Sequence, residues 1–432
     1  MDNRNVVMNP HNNLLALEEH LYALQDVAEP NVFRNLFPYE EVPKIVFNQR
    51  VVPINMPEEI WITDTTFRDG QQSRAPYSTE QIVTLYDYMH RLSGPKGIVR
   101  QSEFFLYSEK DRNAVYKCME RGYQFPEITS WIRANKKDFQ LVKDIGIKET
   151  GILVSCSDYH IFYKMKMTRK QAMEHYLSVV RECLETGVRP RCHLEDITRS
   201  DIYGFVIPFC LELQKLGESY GIPVKIRACD TMGYGVNFTG AAIPRSVPGI
   251  IYGLNVHAGV PSSMIEWHGH NDFYKAVVNS STAWLYGASG VNCSLFGIGE
   301  RTGNTPLEAM VFEYAQLRGT LDGMDTTVIT EMAEYYWWKH SLPSNKRTLE
   351  KRPTDVSLVD WMEFLVPRMD GLTKPRCRTI SSHRLLKISL AIHCHSKHVL
   401  RMKWGKLMNI WLVSLLTMQV IQHRSFIPTE LW

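Results

Sequence analysis

The chain has 432 residues, 44% of them hydrophobic and 22% charged, with a formal net charge of +3. This balance fits a folded protein with a large core and excludes an intrinsically disordered one. No apolar run approaches the roughly 20 residues of a membrane span, and the N-terminus carries acids early and no signal pattern, so a cytoplasmic protein with no membrane partner is expected. Nine cysteines, odd in number and without C-x-x-C spacing, read as reduced thiols rather than as a disulfide framework or zinc knuckle.

Charge is unevenly placed. Residues 371–432 hold ten Lys or Arg against the single acid Glu430, so the rest of the chain is net acidic. No nucleic-acid-binding motif accompanies the basic tail, and no nucleic-acid partner is expected. Residues 1–58 read as an N-terminal extension. Leu14, Leu15, Leu17, Leu21 and Leu24 lie near helical spacing and predict a short amphipathic helix over 13–27, before Pro30, Pro38, Pro43 and Pro53 punctuate the chain.

From Glu59 strand and helix patterns alternate. Strands are predicted at 60–64, 99–105, 127–132, 149–155, 189–194, 224–228, 264–267 and 290–295, with helices at 79–91, 111–121, 169–186, 200–220 and 272–286. Eight such units predict a (β/α)8 TIM barrel over 59–320. No G-x-G-x-x-G follows the first strand, which argues against a doubly wound sheet. Residues 305–340 also look helical, and 321–432 form a C-terminal region of weaker pattern.

Barrel chemistry sits at the C-terminal ends of strands, and the unusual polar residues fall there. Strand one runs into Asp64, Arg68, Asp69 and Gln72, strand two into Glu103, strand five into Arg191 and Glu195, strand six into Thr231, and strand seven into His268 and His270. A glycine-rich loop from Phe296 to Asn304 follows strand eight. His268 and His270, at i and i+2 on an extended strand end, point to one side. With the Asp69 carboxylate and the Asn304 amide oxygen they form a mixed O/N set suited to Mn²⁺ or Mg²⁺, with Zn²⁺ a further option. Positions left open on such an ion suit a 2-oxo acid, chelated through its carboxylate and ketone. Arg68 is placed to stabilise the alkoxide formed by attack on that ketone. Glu103 and Glu195 serve either proton transfer or a network that orients the ligands.

Together these motifs resemble the 2-isopropylmalate, homocitrate and Re-citrate synthase family, relatives of hydroxymethylglutaryl-CoA lyase in the DRE-TIM metallolyase superfamily. The resemblance runs from about Glu59 to Gly319. The family's D-T-T-L-R-D-G-x-Q signature stands here as Asp64 to Gln72 with Phe67 for leucine, H-x-H-N-D as His268 to Asp272, and G-x-G-E-R-x-G-N as Gly297 to Asn304. It implies a homodimeric enzyme that condenses acetyl-CoA with a 2-oxo acid in an aldol/Claisen reaction. Asp69, His268 and His270 would be metal ligands with Asn304 contributing, and Arg68, Glu103 and Glu195 would be catalytic. Gln72, Arg191 and Thr231 would contact substrate. Arg191 stands four residues before Glu195, where homocitrate synthases place an arginine on the distal carboxylate, so a dicarboxylic substrate is expected. The segments 100–107, 155–162 and 191–205 look most like the Re-citrate synthases, which favours oxaloacetate and citrate; 2-isopropylmalate and homocitrate synthesis are the alternatives. The family's G-I-H-x-D-G linker segment has only a faint echo at 391–395. We therefore expect that the reading frame departs from the family after about residue 339, with a solvated helix at 402–422, and an inactive metal-binding barrel is the corresponding alternative.

Overall fold

In the computed structural model, residues 22–38, 40–73, 75–132 and 136–336 are described, together with the backbone of two short strands, Val6–Met8 and Leu15–Leu17. Eight strands carry the fold: β1 Trp61–Asp64, β2 Val99–Phe104, β3 Glu127–Trp131, β4 Glu149–Ser155, β5 Arg189–Glu195, β6 Lys225–Asp230, β7 Ile265–Gly269 and β8 Gly290–Cys293. Each pairs in parallel with the next, and β8 returns to β1 with Gly290 opposite Trp61 and Cys293 opposite Asp64, closing the barrel. A helix follows every strand: α1 Thr79–Ser93, α2 Glu109–Met119, α3 Lys136–Ile145, α4 Arg169–Glu185, α5 Ile207–Tyr220, α6 Val247–Tyr252, α7 Ala276–Tyr286 and α8 Leu307–Arg318. A ninth, α9 Val328–Glu334, packs against α1. The expected TIM barrel is therefore present.

Local chemistry sets the helix starts. Ser78 and Thr168 each accept from the backbone three residues on, while Gln81 and Gln171 reach back, so α1 and α4 open on reciprocal capping boxes. The predicted helix over 272–286 begins only at Ala276, because the Asn271 amide oxygen accepts from Ala276 N and holds the preceding residues as a loop. The helices α3 and α6 fill the two places in the predicted strand–helix alternation for which no helix bounds are predicted. The described residues of the helix expected over 13–27 are not helical: Leu15–Leu17 pairs antiparallel with Val6–Met8, and residues 22–27 have no regular structure. An isolated helix of that length is marginal, and the segment gains tertiary contacts instead, with Gln25 N donating to Gly204 O and Tyr22 stacked on Tyr203. The remainder of the extension runs as a strap over loops that follow β4, β5 and β6, bonding Asp158, Gly204, Gly240 and Arg245.

Alternation along the strands separates two environments. Ile62, Ile152, Val154, Cys192, Leu194, Ile226, Ala228, Ile265, Trp267, Val291 and Cys293 belong to the apolar layer between sheet and helices. The opposite parity turns inward and is charged. Glu103, Glu149 and Glu266 interleave with Arg191, Lys225 and Arg227, all nearly fully buried. Branched aliphatics usually fill a TIM-barrel interior; here three acids and three bases do so, with charges that balance.

Among the described residues no helix is long and apolar enough to cross a membrane. The tail, including the expected helix at 402–422, the echo at 391–395 and the change of frame after about 339, lies outside them.

Candidate active site

Asp69, His268 and His270 converge at the mouth of the barrel, each buried, with ligand atoms within 4.8 Å of one another. The two histidines reach the site from the end of β7. Asp69 comes from the turn after β1, where Asp69 N donates to Thr65 O at 2.8 Å. His268 has a fixed tautomer. Its Nδ1 lies 2.7 Å from Asn292 Oδ1, and the Asn292 amide is itself oriented because its Nδ2 donates to Thr63 Oγ1. The proton therefore sits on Nδ1, leaving the Nε2 lone pair directed at His270 Nε2, 3.2 Å away, and at Asp69 Oδ2, 3.7 Å away.

Asn304 completes the group, donating from Nδ2 to Asp69 Oδ2 at 2.6 Å. Its Oδ1 and His270 Nδ1 are buried atoms with no hydrogen-bond partner among the described residues. Gly299 makes this placement feasible, since a Cβ there would overlap the Asn304 amide. Electrostatics suit a cation. Burial, the largest influence, would raise the Asp69 carboxyl, but Arg68, His268, His270 and the Asn304 bond outweigh it and hold it at about 2. Burial pushes His270 down to about 4 with help from His268, and His268 also shifts downward by burial, so both imidazoles are neutral at pH 7. One carboxylate and two neutral imidazoles fit a divalent metal ion, and turning over the Asn304 amide, whose Nδ2 now faces Asp69, would add its oxygen.

The other expected residues divide. Arg68 lies beside the metal cluster, with Nη1 2.6 Å from Asp69 Oδ1 and its guanidinium 4.6 Å over the Trp131 ring. The Gln72 amide, oriented to satisfy both neighbours, donates to Asp69 Oδ1 and Glu300 Oε1 at 3.0 Å. Thr231 Oγ1 accepts from Asp196 N at 2.8 Å, and its carbonyl accepts from Arg301, which also grips Asp272 and ties the glycine-rich loop to the end of β7. Glu195 accepts from Ser155 and stands 2.9 Å from His160 Nδ1.

Glu103 and Arg191 are both engaged with protein partners. Glu103 is clasped by Arg191 and Arg227 and accepts from Thr65 Oγ1 at 2.9 Å. Burial alone would raise its pKa, but Arg227, Arg191 and Arg68 outweigh this and hold it at about 2, too low for a proton acceptor at neutral pH. Arg191 is buried but not free: Nη1 donates to Glu149 at 2.7 Å and Nη2 to Glu103, so its guanidinium faces protein carboxylates rather than the mouth. Sequence reasoning missed His160. It lies in a π-helical turn just beyond β4, and the signal for it was the polar run Ser155 to His160 at that strand's end. It also missed His193, between Arg191 and Glu195 on β5.

The HMGL-like family model matches residues 59–335, well over half of the chain. The chain belongs to the HMGL-like family. Within it, the chain is 63% identical over 315 residues to the Citrate (Re)-synthase of Clostridium kluyveri, covering 73% of this chain and 70% of that protein. It is 56% identical to the Citrate (Re)-synthase of Syntrophus aciditrophicus, covering 75% of this chain and about half, 52%, of that longer protein. A 2-phosphinomethylmalate synthase of Streptomyces hygroscopicus is 40% identical, covering 67% of this chain and 66% of that protein. The hydroxymethylglutaryl-CoA lyase of Pseudomonas aeruginosa shares the fold with a TM-score of 0.50 at 18% identity, covering 69% of this chain and all of that one. The HMGL-like match thus spans every barrel strand together with Asp69, His268, His270 and Asn304.

Proposed function

We propose that this chain condenses acetyl-CoA with oxaloacetate to give citrate and CoA. The observation that carries this reading is the 63% identity to a Citrate (Re)-synthase over 70% of that protein's length. A 2-isopropylmalate synthase and a homocitrate synthase are each only 28% identical, which makes their substrates the second choice.

Asp69, His268, His270 and Asn304 Oδ1 would hold a divalent ion, Mn²⁺ or Mg²⁺ with Zn²⁺ as a further option. When bound, it supplies Lewis-acid polarisation of the 2-oxo group. Arg68, held by Asp69 and Trp131, stabilises the negative charge that develops on the former ketone oxygen. His160 takes the proton from the acetyl methyl group. Ionised Glu195 accepts from its Nδ1–H, leaving Nε2 as the base, so Glu195 acts by orienting His160. Thr231 offers its hydroxyl hydrogen, held only at 3.4 Å by Cys229 O, to the substrate carboxylate. Gln72 steadies Asp69, and Glu103 positions Arg191 and Arg227. After the new C–C bond forms, water hydrolyses the thioester and CoA departs.

The test is CoA release by purified protein given Mn²⁺, acetyl-CoA and, in separate reactions, oxaloacetate, 2-oxoglutarate or 2-oxoisovalerate. Oxaloacetate should be preferred, with citrate as product. Preference for 2-oxoisovalerate would replace this reading with 2-isopropylmalate synthesis, and metal binding without turnover of any of the three would leave an inactive barrel.

A further inference from the structure

The strand register places His193 on the floor of the mouth. Along the sheet Glu195, Cys229 and His268 form one level, His193, Arg227 and Glu266 form the level beneath, and Arg191 pairs one level lower with Gly151 and Lys225. His193 therefore shares a level with the buried charges Arg227 and Glu266 and lies one level below His268.

Its tautomer is fixed from below. Arg191 Nε is always a donor, and it lies 3.3 Å from His193 Nε2, so Nε2 accepts and the proton resides on Nδ1. That Nδ1–H has no hydrogen-bond partner among the described residues, yet it is not one of the atoms sealed from solvent. Burial, then Arg227, Arg191 and Arg68, push the imidazole pKa well below 6.5, so the ring stays neutral. The ring is also seated by shape. A Cβ on Gly151 of β4 would meet His193 Nε2 at 2.6 Å and Trp131 Cδ1 at 2.9 Å. Trp131 in turn carries Arg68 over its face, so His193, Gly151, Trp131 and Arg68 form one continuous wall beside Asp69. Trp131 Nε1 is a second donor there without a partner among the described residues.

We propose that His193, rather than Arg191, is the residue that selects a dicarboxylic 2-oxo acid, donating its Nδ1–H to the distal carboxylate while Arg191 acts only by holding the ring. A substrate that ends in a methyl group leaves this donor unsatisfied, and such a mismatch discriminates more strongly than apolar fit does. The inference rests on the reading of the site as a metal-assisted 2-oxo acid site.

Calorimetric titration of the Mn²⁺-loaded chain with oxaloacetate and with 2-oxobutyrate, which carries a methyl in place of the distal carboxylate, tests it. The unsubstituted protein should favour oxaloacetate. His193→Ala should lose about ten- to a hundredfold in oxaloacetate affinity, the range of one hydrogen bond to a charged group, with metal content unchanged and 2-oxobutyrate affinity equal to or above that of the unsubstituted protein. His193→Asn, which keeps an N–H near the Nδ1 position, should recover part of the loss. Gly151→Ala, which displaces the ring without removing it, should reproduce the loss with metal still bound. Full discrimination retained by His193→Ala or by Gly151→Ala overturns the proposal. If the unsubstituted protein binds both acids equally, the 2-oxo acid reading stands and this role falls; if it binds neither, both fall.

Discussion

At the scale of single residues, the proposed metal site depends on a side chain that does not belong to it. Asn292 holds the His268 Nδ1 proton and is itself held by Thr63, so a lone pair faces Asp69 and His270 without any reorganisation. Partners of this kind typically account for about ten- to a hundredfold in metal affinity. Asn292→Ala should weaken Mn²⁺ binding by that factor, read by electron paramagnetic resonance of the free ion. His160 offers a complementary case at the other side of the mouth. Its Nδ1 is fixed by Glu195, and His160→Ala should lower kcat with metal content unchanged.

At the scale of elements, the inward faces of β2, β4, β5, β6 and β7 form one ionic lattice. Arg227 bridges Glu103 of β2 to Glu266 of β7, and Arg191 bridges Glu103 to Glu149 of β4. Glu103, Glu266 and Arg227 are all buried, so removing Arg227 leaves two carboxylates with Arg191 and Lys225 facing them and little solvent to compensate. Arg227→Ala should cost about 3–5 kcal/mol of unfolding free energy. Arg91 makes equally short contacts to Asp325 and Glu331, but its side chain is 42% exposed; there solvent screening limits the loss in Arg91→Ala to about 1 kcal/mol at most. Urea unfolding of the two variants side by side checks the contrast.

For the whole molecule the same lattice sets a pH dependence. His193 is neutral when folded and has its pKa depressed, so the unfolded chain binds more protons as pH falls below about 6.5, and stability declines from there. Glu103, Glu149 and Glu266 are likewise depressed: burial opposes this in each, but the facing cations outweigh it. Their stabilisation is complete above about 4.5 and is lost as pH falls further. Asp64 and Asp230, which burial raises to about 6, take up protons in the folded state and offset this loss between pH 6 and 4. Denaturation midpoints should therefore change little between pH 6.5 and 4.5 and fall steeply below, with each titrating group adding up to about 1.4 kcal/mol per pH unit. Midpoints that stay level from pH 4.5 to 2.5 would contradict the burial of the glutamates.

By itself the sequence determined the barrel and pointed to Asp69, His268, His270 and Asn304 as one group at its mouth. Both follow from local signals: hydrophobic periodicity marks strands and helices, and a His-x-His pair, a strand-end Asp and a glycine-rich loop mark the mouth. Only the tertiary structure decided what the buried charges do. Glu103 and Arg191 carry the right chemistry for substrate contact, yet which partner a guanidinium meets depends on residues tens of positions away along the chain, brought opposite by strand register. The leucine spacing over 13–27 failed for the same reason. A short amphipathic run has no intrinsic helix stability to set against tertiary contacts, and here the loop around Gly204 and Tyr203 outcompeted the helix.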